Sequence, residues 1–168
     1  MKLRTLHDLY VDELKDLYNA EHQLLTALPK MAKAATAHKL AQAFTDHLAE
    51  TKGQIGRLET IFKTLDTSPE GKTCKAMEGL IEEGRELMEE DAEPTVTDAG
   101  LIAAGQRVEH YELAGYGCVR TFARLLGYKE AAGLLQQTLD EEGAADNRLM
   151  ALAQNVVSAK AAATACVY

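Results

Sequence analysis

Six acidic residues, Glu21, Glu50, Glu109, Glu112, Glu142 and Asp146, fall at or beside positions where helical periodicity calls for apolar side chains. Glu109 and Glu112 belong to the stripe Ile102, Gly105, Glu109, Glu112, Tyr116, Val119, Ala123, Leu126. Its steps of three and four are those of an inward helix seam. Glu21 stands in Tyr10, Leu14, Leu17, Glu21, Leu24, Leu28, Met31, and Glu142 and Asp146 stand in Leu135, Leu139, Glu142, Asp146, Leu149, Ala153, Val156. Glu50 lies one residue beside the polar middle of Leu40, Phe44, His47, Thr51, Gln54, Leu58, Ile61, Leu65. A buried carboxylate neutralises, pairs or binds a cation. At a common depth, two divalent cations would offset most of this charge and take the oxygens as ligands. A hard, oxygen-rich set suits iron, manganese or magnesium better than thiolate-preferring metals. Two divalent ions are therefore expected, iron or manganese first, with zinc or magnesium next.

Each residue also has an ordinary reading. A glutamate on a seam often marks the frayed edge of a core, and a pair three residues apart is often a solvated face. His47 and His110 read singly as partly buried, satisfied histidines. The recurrence of acids near the middles of several segments favours the metal chemistry.

Those acids need elements that bring four middles to one level. The periodicity predicts one domain over residues 1–168, with helices at about 5–35, 38–65, 75–89, 97–126 and 129–159 and a tail at 161–168. Thr5-Leu6-His7-Asp8 has the form of a capping box, and Pro29 is expected to kink the first helix without ending it. Residues 91–95, with Pro94, read as a loop, and Gly127 as the residue that closes the third long helix. Short connections make each helix pair antiparallel. The long link between the second and third long helices, which holds the short helix, lets those two run parallel. This all-α arrangement is a ferritin-like four-helix bundle with an extra helix in its crossover.

The halves repeat around their acids. Ala20-Glu21-His22 matches Val108-Glu109-His110 at an offset of 88 residues. His47-Leu48-Ala49-Glu50 with Arg57-Leu58 matches Thr138-Leu139-Asp140-Glu141 with Arg148-Leu149 at an offset of 91. The repeat pairs Glu50 with Glu141, whereas the seam selects Glu142. Both stay open as the ligand of the last helix, and Glu142 is preferred. Glu112 has Leu24 as its counterpart and is the asymmetric addition.

Composition limits the partners. The chain of 168 residues has a net charge of −8, which disfavours nucleic acid. It has no apolar run long enough to cross a membrane. Its odd, widely spaced cysteines, Cys74, Cys118 and Cys166, suit a reducing compartment, and with no signal-like block the expected location is cytoplasmic.

Several segments carry a resemblance across nearly the whole chain. They are Asp16-Leu17-Tyr18-Asn19-Ala20-Glu21-His22-Gln23-Leu24-Leu25, Leu28-Pro29-Lys30-Met31, His47-Leu48-Ala49-Glu50-Thr51, Cys74-Lys75-Ala76-Met77-Glu78-Gly79-Leu80, Val108-Glu109-His110-Tyr111-Glu112, and Leu139-Asp140-Glu141-Glu142-Gly143-Ala144-Ala145-Asp146. Together the sequence resembles the bacterial YciE/YciF stress-protein family. The resemblance implies a rubrerythrin-like bundle, a dinuclear metal site, a homodimer and expression linked to stress. It implies no settled reaction. One departure stands out: the wider ferritin-like pattern places Glu-x-x-His on the second and fourth long helices. Here Gly53 follows Glu50 by three, and Ala144 and Ala145 follow Glu141 and Glu142. Asp146 is a candidate replacement for one histidine, and Gln54 or His47 for the other. Tyr111 and Tyr116 fill core or bond a ligand. The leading expectation is a di-iron or di-manganese centre that reacts with oxygen or hydrogen peroxide. The alternatives are a metal-binding stress protein without turnover and a structural or interaction protein whose acids are a remnant.

Overall fold

Thr5 accepts a hydrogen bond from the Asp8 amide, and the Asp8 carboxylate accepts from the Thr5 amide in return. This capping box satisfies donors that the first helical turn leaves free. It opens α1 (Leu6–Ala34), the first of five helices in a computed structural model that describes residues 3–154. The others are α2 (His38–Thr64), α3 (Lys75–Glu89), α4 (Pro94–Leu125) and α5 (Lys129–Leu152), and no strand occurs among the described residues. The order of elements, their lengths and the crossover helix agree with the sequence expectation of an all-α bundle.

Local chemistry ends the helices. At the close of α4, Gly127 takes a φ of 81°, the Tyr128 amide bonds the Ala123 carbonyl at 2.8 Å, and the Gly127 amide bonds that of Arg124 at 3.2 Å. That is a Schellman closure, which needs the left-handed conformation glycine adopts without strain. Asp66 does the same after α2 with φ 49°, a conformation a short polar side chain tolerates. Pro94 is the first residue of α4, not part of a loop as the sequence reading had it. Its missing N–H belongs to a donor that would have no helical partner there, so the helix starts three residues earlier than expected. α1 runs unbroken through Pro29. The expected end of the last helix near residue 159 and the tail at 161–168 lie outside the described residues.

The helices pack as the connections require. α1 lies on α2 and α4 lies on α5, each pair joined by a tight turn, while α1 also packs on α4 and α2 on α5. Phe44 and His47 face Gly105 and Glu109 in the same order, so α2 and α4 run parallel. Gly105 permits a close approach, because a Cβ there would sit 2.9 Å from Leu149 Cδ1 and 3.3 Å from Phe44 Cε1. α3 covers α1 and α4 from outside. The core is split in two. One apolar half gathers Leu24, Leu28, Met31, Leu40, Phe44, Leu101, Ile102 and Leu149. The other gathers Tyr10, Leu14, Leu17, Leu58, Ile61, Phe62, Val119 and Leu135. A polar layer separates them.

A buried carboxylate also ties the α1–α2 turn to α4. No side chain of its own caps α2. Asp98, on α4, instead accepts from the Thr36 amide at 2.7 Å, the Thr36 hydroxyl at 2.6 Å and the Ala37 amide at 2.9 Å. Asp98→Ala strands these donors, and hydrogen bonds to a charged group each contribute about 1.5–3 kcal/mol. The substitution should lower unfolding free energy by about 3 kcal/mol in urea denaturation, and Asp98→Asn by less. A loss below about 0.5 kcal/mol, the size of an ordinary surface change, would contradict the role.

Candidate metal centre

The polar layer is built from four helices at one depth. α1 contributes Glu21; α2 contributes His47, Thr51 and Gln54; α4 contributes Glu109 and Glu112; and α5 contributes Thr138 and Glu142, all of them buried. His47, Glu109, Glu112 and Glu142 each offer one ligand atom, and those atoms lie within 4.8 Å of one another. His47 Nε2 is 3.4 Å from Glu109 Oε1 and 3.8 Å from Glu142 Oε2. Glu21 adjoins this group: after burial, the nearby Glu142 charge is what raises its carboxyl most.

Many acceptors in the layer have no donor. Glu21 Oε2, Glu109 Oε2, Glu142 Oε2 and both oxygens of Glu112 are buried without a hydrogen-bond partner, as is His47 Nε2. Buried polar atoms are ordinarily satisfied, so these orphaned carboxylate oxygens call for protons or a cation, and the cluster could hold a metal ion. Burial pushes the Glu21, Glu109 and Glu112 carboxyls well above the usual carboxylate range, and Glu142 adds to each shift by charge repulsion. Burial also raises Glu142, against the opposing pull of His47.

The surrounding groups hold the layer in place. The Tyr116 hydroxyl donates to Glu21 Oε1 at 2.5 Å. Gln54 donates to Glu142 through a short contact and to Glu141 Oε2 at 3.3 Å. Two arginines flank the layer as symmetry mates. Arg148 Nη2 donates to Glu50 Oε2 at 2.6 Å, and Arg57 Nη2 donates to Glu141 while its Nε donates to Thr138 Oγ1 at 2.9 Å. The offset of 91 residues seen in the sequence maps one bridge onto the other.

The six acids of the sequence reading therefore part company. Glu109, Glu112 and Glu142 share the cluster, and Glu21 stands against it. Glu50 is only partly buried and faces Arg148 and His47 Nδ1, the latter at 3.3 Å. Its bond to His47 and the Arg148 charge hold its carboxyl below the usual range. Asp146 is turned to the flank of α4, 3.3 Å from His110 Nε2 and 3.3 Å from Gln106 Nε2. The inner seam of α5 is Leu135, Thr138, Glu142, Ala145 and Leu149, one residue out of step with the expected line at two places. That slip is why Asp146 and Leu139 leave the seam. Of the choices left open, Glu142 is buried while Glu141 meets Arg57; His47 enters the cluster while exposed His110 does not. The arginines were outside the set of candidates, although their place in the repeat was the signal for them.

Residues 5–162 match the family described as Domain of unknown function (DUF892). Protein YciF of Escherichia coli strain K12 is 48% identical over 162 residues, spanning 96% of this chain and 98% of YciF. The crystal structure of the E. coli stress protein YciF superposes with a TM-score of 0.89 at 47% identity, covering 91% of this chain and 97% of that one. A solved structure of YcfI from Rhodopseudomonas palustris gives 0.85 at 44%, covering 88% and 94%. With matches of that extent in sequence and in structure, the chain belongs to the DUF892, YciF-like family.

Proposed function

We propose that the polar layer is a dinuclear metal centre of a stress-response protein, with iron or manganese as the resident ions. The observation that carries this reading is the group of buried, donorless carboxylate oxygens around His47, Glu109, Glu112 and Glu142. With Glu21 these residues supply four carboxylates and one imidazole. Four such charges are what two divalent ions neutralise, and neutralisation removes the cost of burying them. Bound there, a redox-active pair would supply electrons to oxygen or hydrogen peroxide.

The protein's own part is to hold the ligands. Glu50 faces the Nδ1 edge of His47 and is itself fixed by Arg148. A carboxylate on that edge assigns the proton to Nδ1 and leaves the Nε2 lone pair for a cation, the usual arrangement behind a metal-bound imidazole. Glu50 is thereby a positioning residue in this conformation. Tyr116 fixes Glu21 and Gln54 fixes Glu142. The two apolar halves above and below exclude water.

A second reading is cation binding without turnover, in the stress response or as a structural part. It draws on the donor set, which is richer in oxygen and poorer in histidine than the wider ferritin-like pattern and suits a non-redox ion as well.

Metal analysis of protein purified without chelator tests both. About two ions per chain are expected, and fewer than one per two chains would overturn the metal reading. Rapid mixing of the iron-loaded protein with peroxide then separates turnover from storage, since an absorbance change that tracks peroxide loss is expected only of the first.

Glu112 gives a sharper signature. Glu112→Leu should cut metal loading to about one ion per chain while making the chelated protein more stable by about 1–3 kcal/mol, because an unpaired buried carboxyl is replaced by an apolar group. Full loading in the variant would remove Glu112 from the centre.

The acids also set a pH dependence. Their folded-state pKa values lie above the unfolded value, so folding favours their protonated forms. That stability is present below the ordinary value of 4.5 and is lost as pH rises above it. The chelated protein should unfold at progressively lower temperature from about pH 5 upward, and the metal-loaded protein should not. Parallel curves for the two forms in differential scanning calorimetry would show that the layer does not take up cations.

A further inference from the structure

Thr51 is out of character for a threonine inside a helix. Thr45, Thr60, Thr64 and Thr121 turn their hydroxyls back on the carbonyl four residues earlier, at 2.9, 2.9, 3.0 and 2.8 Å. Thr138, buried like Thr51, accepts from Arg57 Nε at 2.9 Å. Thr51 is wholly buried, and its Oγ1 has no hydrogen-bond partner of either kind. A hydroxyl buried in that way costs free energy that valine, of nearly the same shape, would not. Packing therefore gives no reason for the oxygen.

A second orphan stands three residues on. The amide nitrogen of Gln54 faces two carboxylates, donating to Glu142 Oε1 and, at 3.3 Å, to Glu141 Oε2. Those bonds decide which end of the amide is oxygen, and that oxygen, Oε1, is buried without a donor. His47, Thr51 and Gln54 step by four and three along the buried seam of α2. His47 Nε2 lies 3.8 Å from Glu142 Oε2, and Gln54 holds the other oxygen of the same carboxylate. Thr51, between them on that seam, faces the same side of the layer. One free donor and one free acceptor thus stand within a helical turn of each other, beside the candidate ligands.

We propose that Thr51 and Gln54 bind hydrogen peroxide at the polar layer, an inference that rests on the dinuclear reading above. Peroxide both donates and accepts. The Thr51 hydroxyl donates to one of its oxygens, and one peroxide O–H donates to Gln54 Oε1. Dioxygen has no proton to give and is too weakly polar to accept a useful hydrogen bond, so it leaves both groups unmatched. In the reaction served, peroxide takes two electrons from the reduced ion pair, one from each ion, and two protons from solvent. Its O–O bond breaks and two waters leave. Thr51 touches the oxidant and keeps its own proton.

The test compares the full-length protein with Thr51→Val, which keeps the shape and removes the hydroxyl, and Thr51→Ser, which retains it. Metal analysis comes first, and all three proteins should hold about two ions per chain. Wild-type protein without metal would overturn the dinuclear reading and this inference with it. Loading lost in Thr51→Val alone would overturn only the inference, by making Thr51 part of the ion-holding set. With iron loaded and reduced, the rate constant for oxidation by peroxide should fall about three- to tenfold in Thr51→Val, as loss of one hydrogen bond requires, and recover in Thr51→Ser. The rate constant with dioxygen should change by less than about twofold. Azide, a small anion that accepts hydrogen bonds, gives a readout apart from turnover. Its dissociation constant for the oxidised, iron-loaded protein, followed by absorbance, should rise about three- to tenfold in Thr51→Val. After chelation, Thr51→Val should melt no lower than wild type, because the hydroxyl has no bond to lose. Unchanged peroxide and azide constants would leave Thr51 holding water only and overturn the proposal. An equal loss with dioxygen, or a lower melting temperature after chelation, would overturn it too.

Discussion

Four carboxylates buried in one layer are the constraint on which the rest of the structure depends. Glu21, Glu109, Glu112 and Glu142 occupy places where Leu or Ile would stabilise the bundle. Each ionised group there lacks the solvent that would stabilise its charge, and each raises the cost of its neighbours. The apolar halves on either side must carry the folding free energy that the middle does not supply. They are filled with large, fully buried side chains such as Tyr10, Leu14, Leu24, Phe62, Leu101 and Ile102. A layer of that kind survives in a stable domain when its charge is matched, by protons or by cations. The same layer explains the flanking arginines. Arg57 and Arg148 pull the carboxylates of Glu141 and Glu50 to the rim, so two further negative charges stay out of the centre.

The fold was largely legible because its information is periodic. Leu40, Phe44, Leu58 and Ile61 on α2, and Tyr10, Leu14, Leu17 and Leu24 on α1, are all buried as their spacing demands. The capping box at Thr5 and the glycine at residue 127 carry their geometry in a few adjacent residues. Pro94 was misplaced because proline breaks a helix interior and suits a helix start equally well, and the sequence alone does not say which applies. The cap supplied by Asp98 had no local sign at all, since its partners lie more than sixty residues away on another turn.

The candidate site was legible in part, and the limits have a physical origin. Glu21, Glu109, Glu112 and Glu142 follow from strict steps of three and four. Asp146 stands on such a line too, but from Glu142 the buried face of α5 continues three residues on, at Ala145, and adjacent residues point about 100° apart around a helix. Glu50 lies beside the seam of α2 and comes to rest on Arg148 in place of the cluster. His47 lies on that seam and takes the place inside. A position on the seam decided burial more reliably than the chemical type of the residue did.

The repeat built the scaffold, and its departures built the site. Glu21 and Glu109 are related by it, as are the two arginine bridges at the rim. His47 corresponds to Thr138, Glu112 to Leu24 and Gln54 to Ala145, so the groups that complete the buried cluster have no equal across the pseudo-symmetry. Glu142 stands one residue past the counterpart of Glu50. Symmetric helix pairs place four middles at one level, which needs only matching lengths and seams. An asymmetric donor set then makes the layer chemically uneven: His47 approaches Glu109 and Glu142, while Glu21 is held by the Tyr116 hydroxyl. Two cations in such a layer would meet unlike ligands, one with an imidazole and one with oxygens alone. Unlike ligands give unlike affinities and potentials. A strictly symmetric duplication has no means to provide that difference, and here it rests on a small number of side chains, chiefly His47 and Glu112.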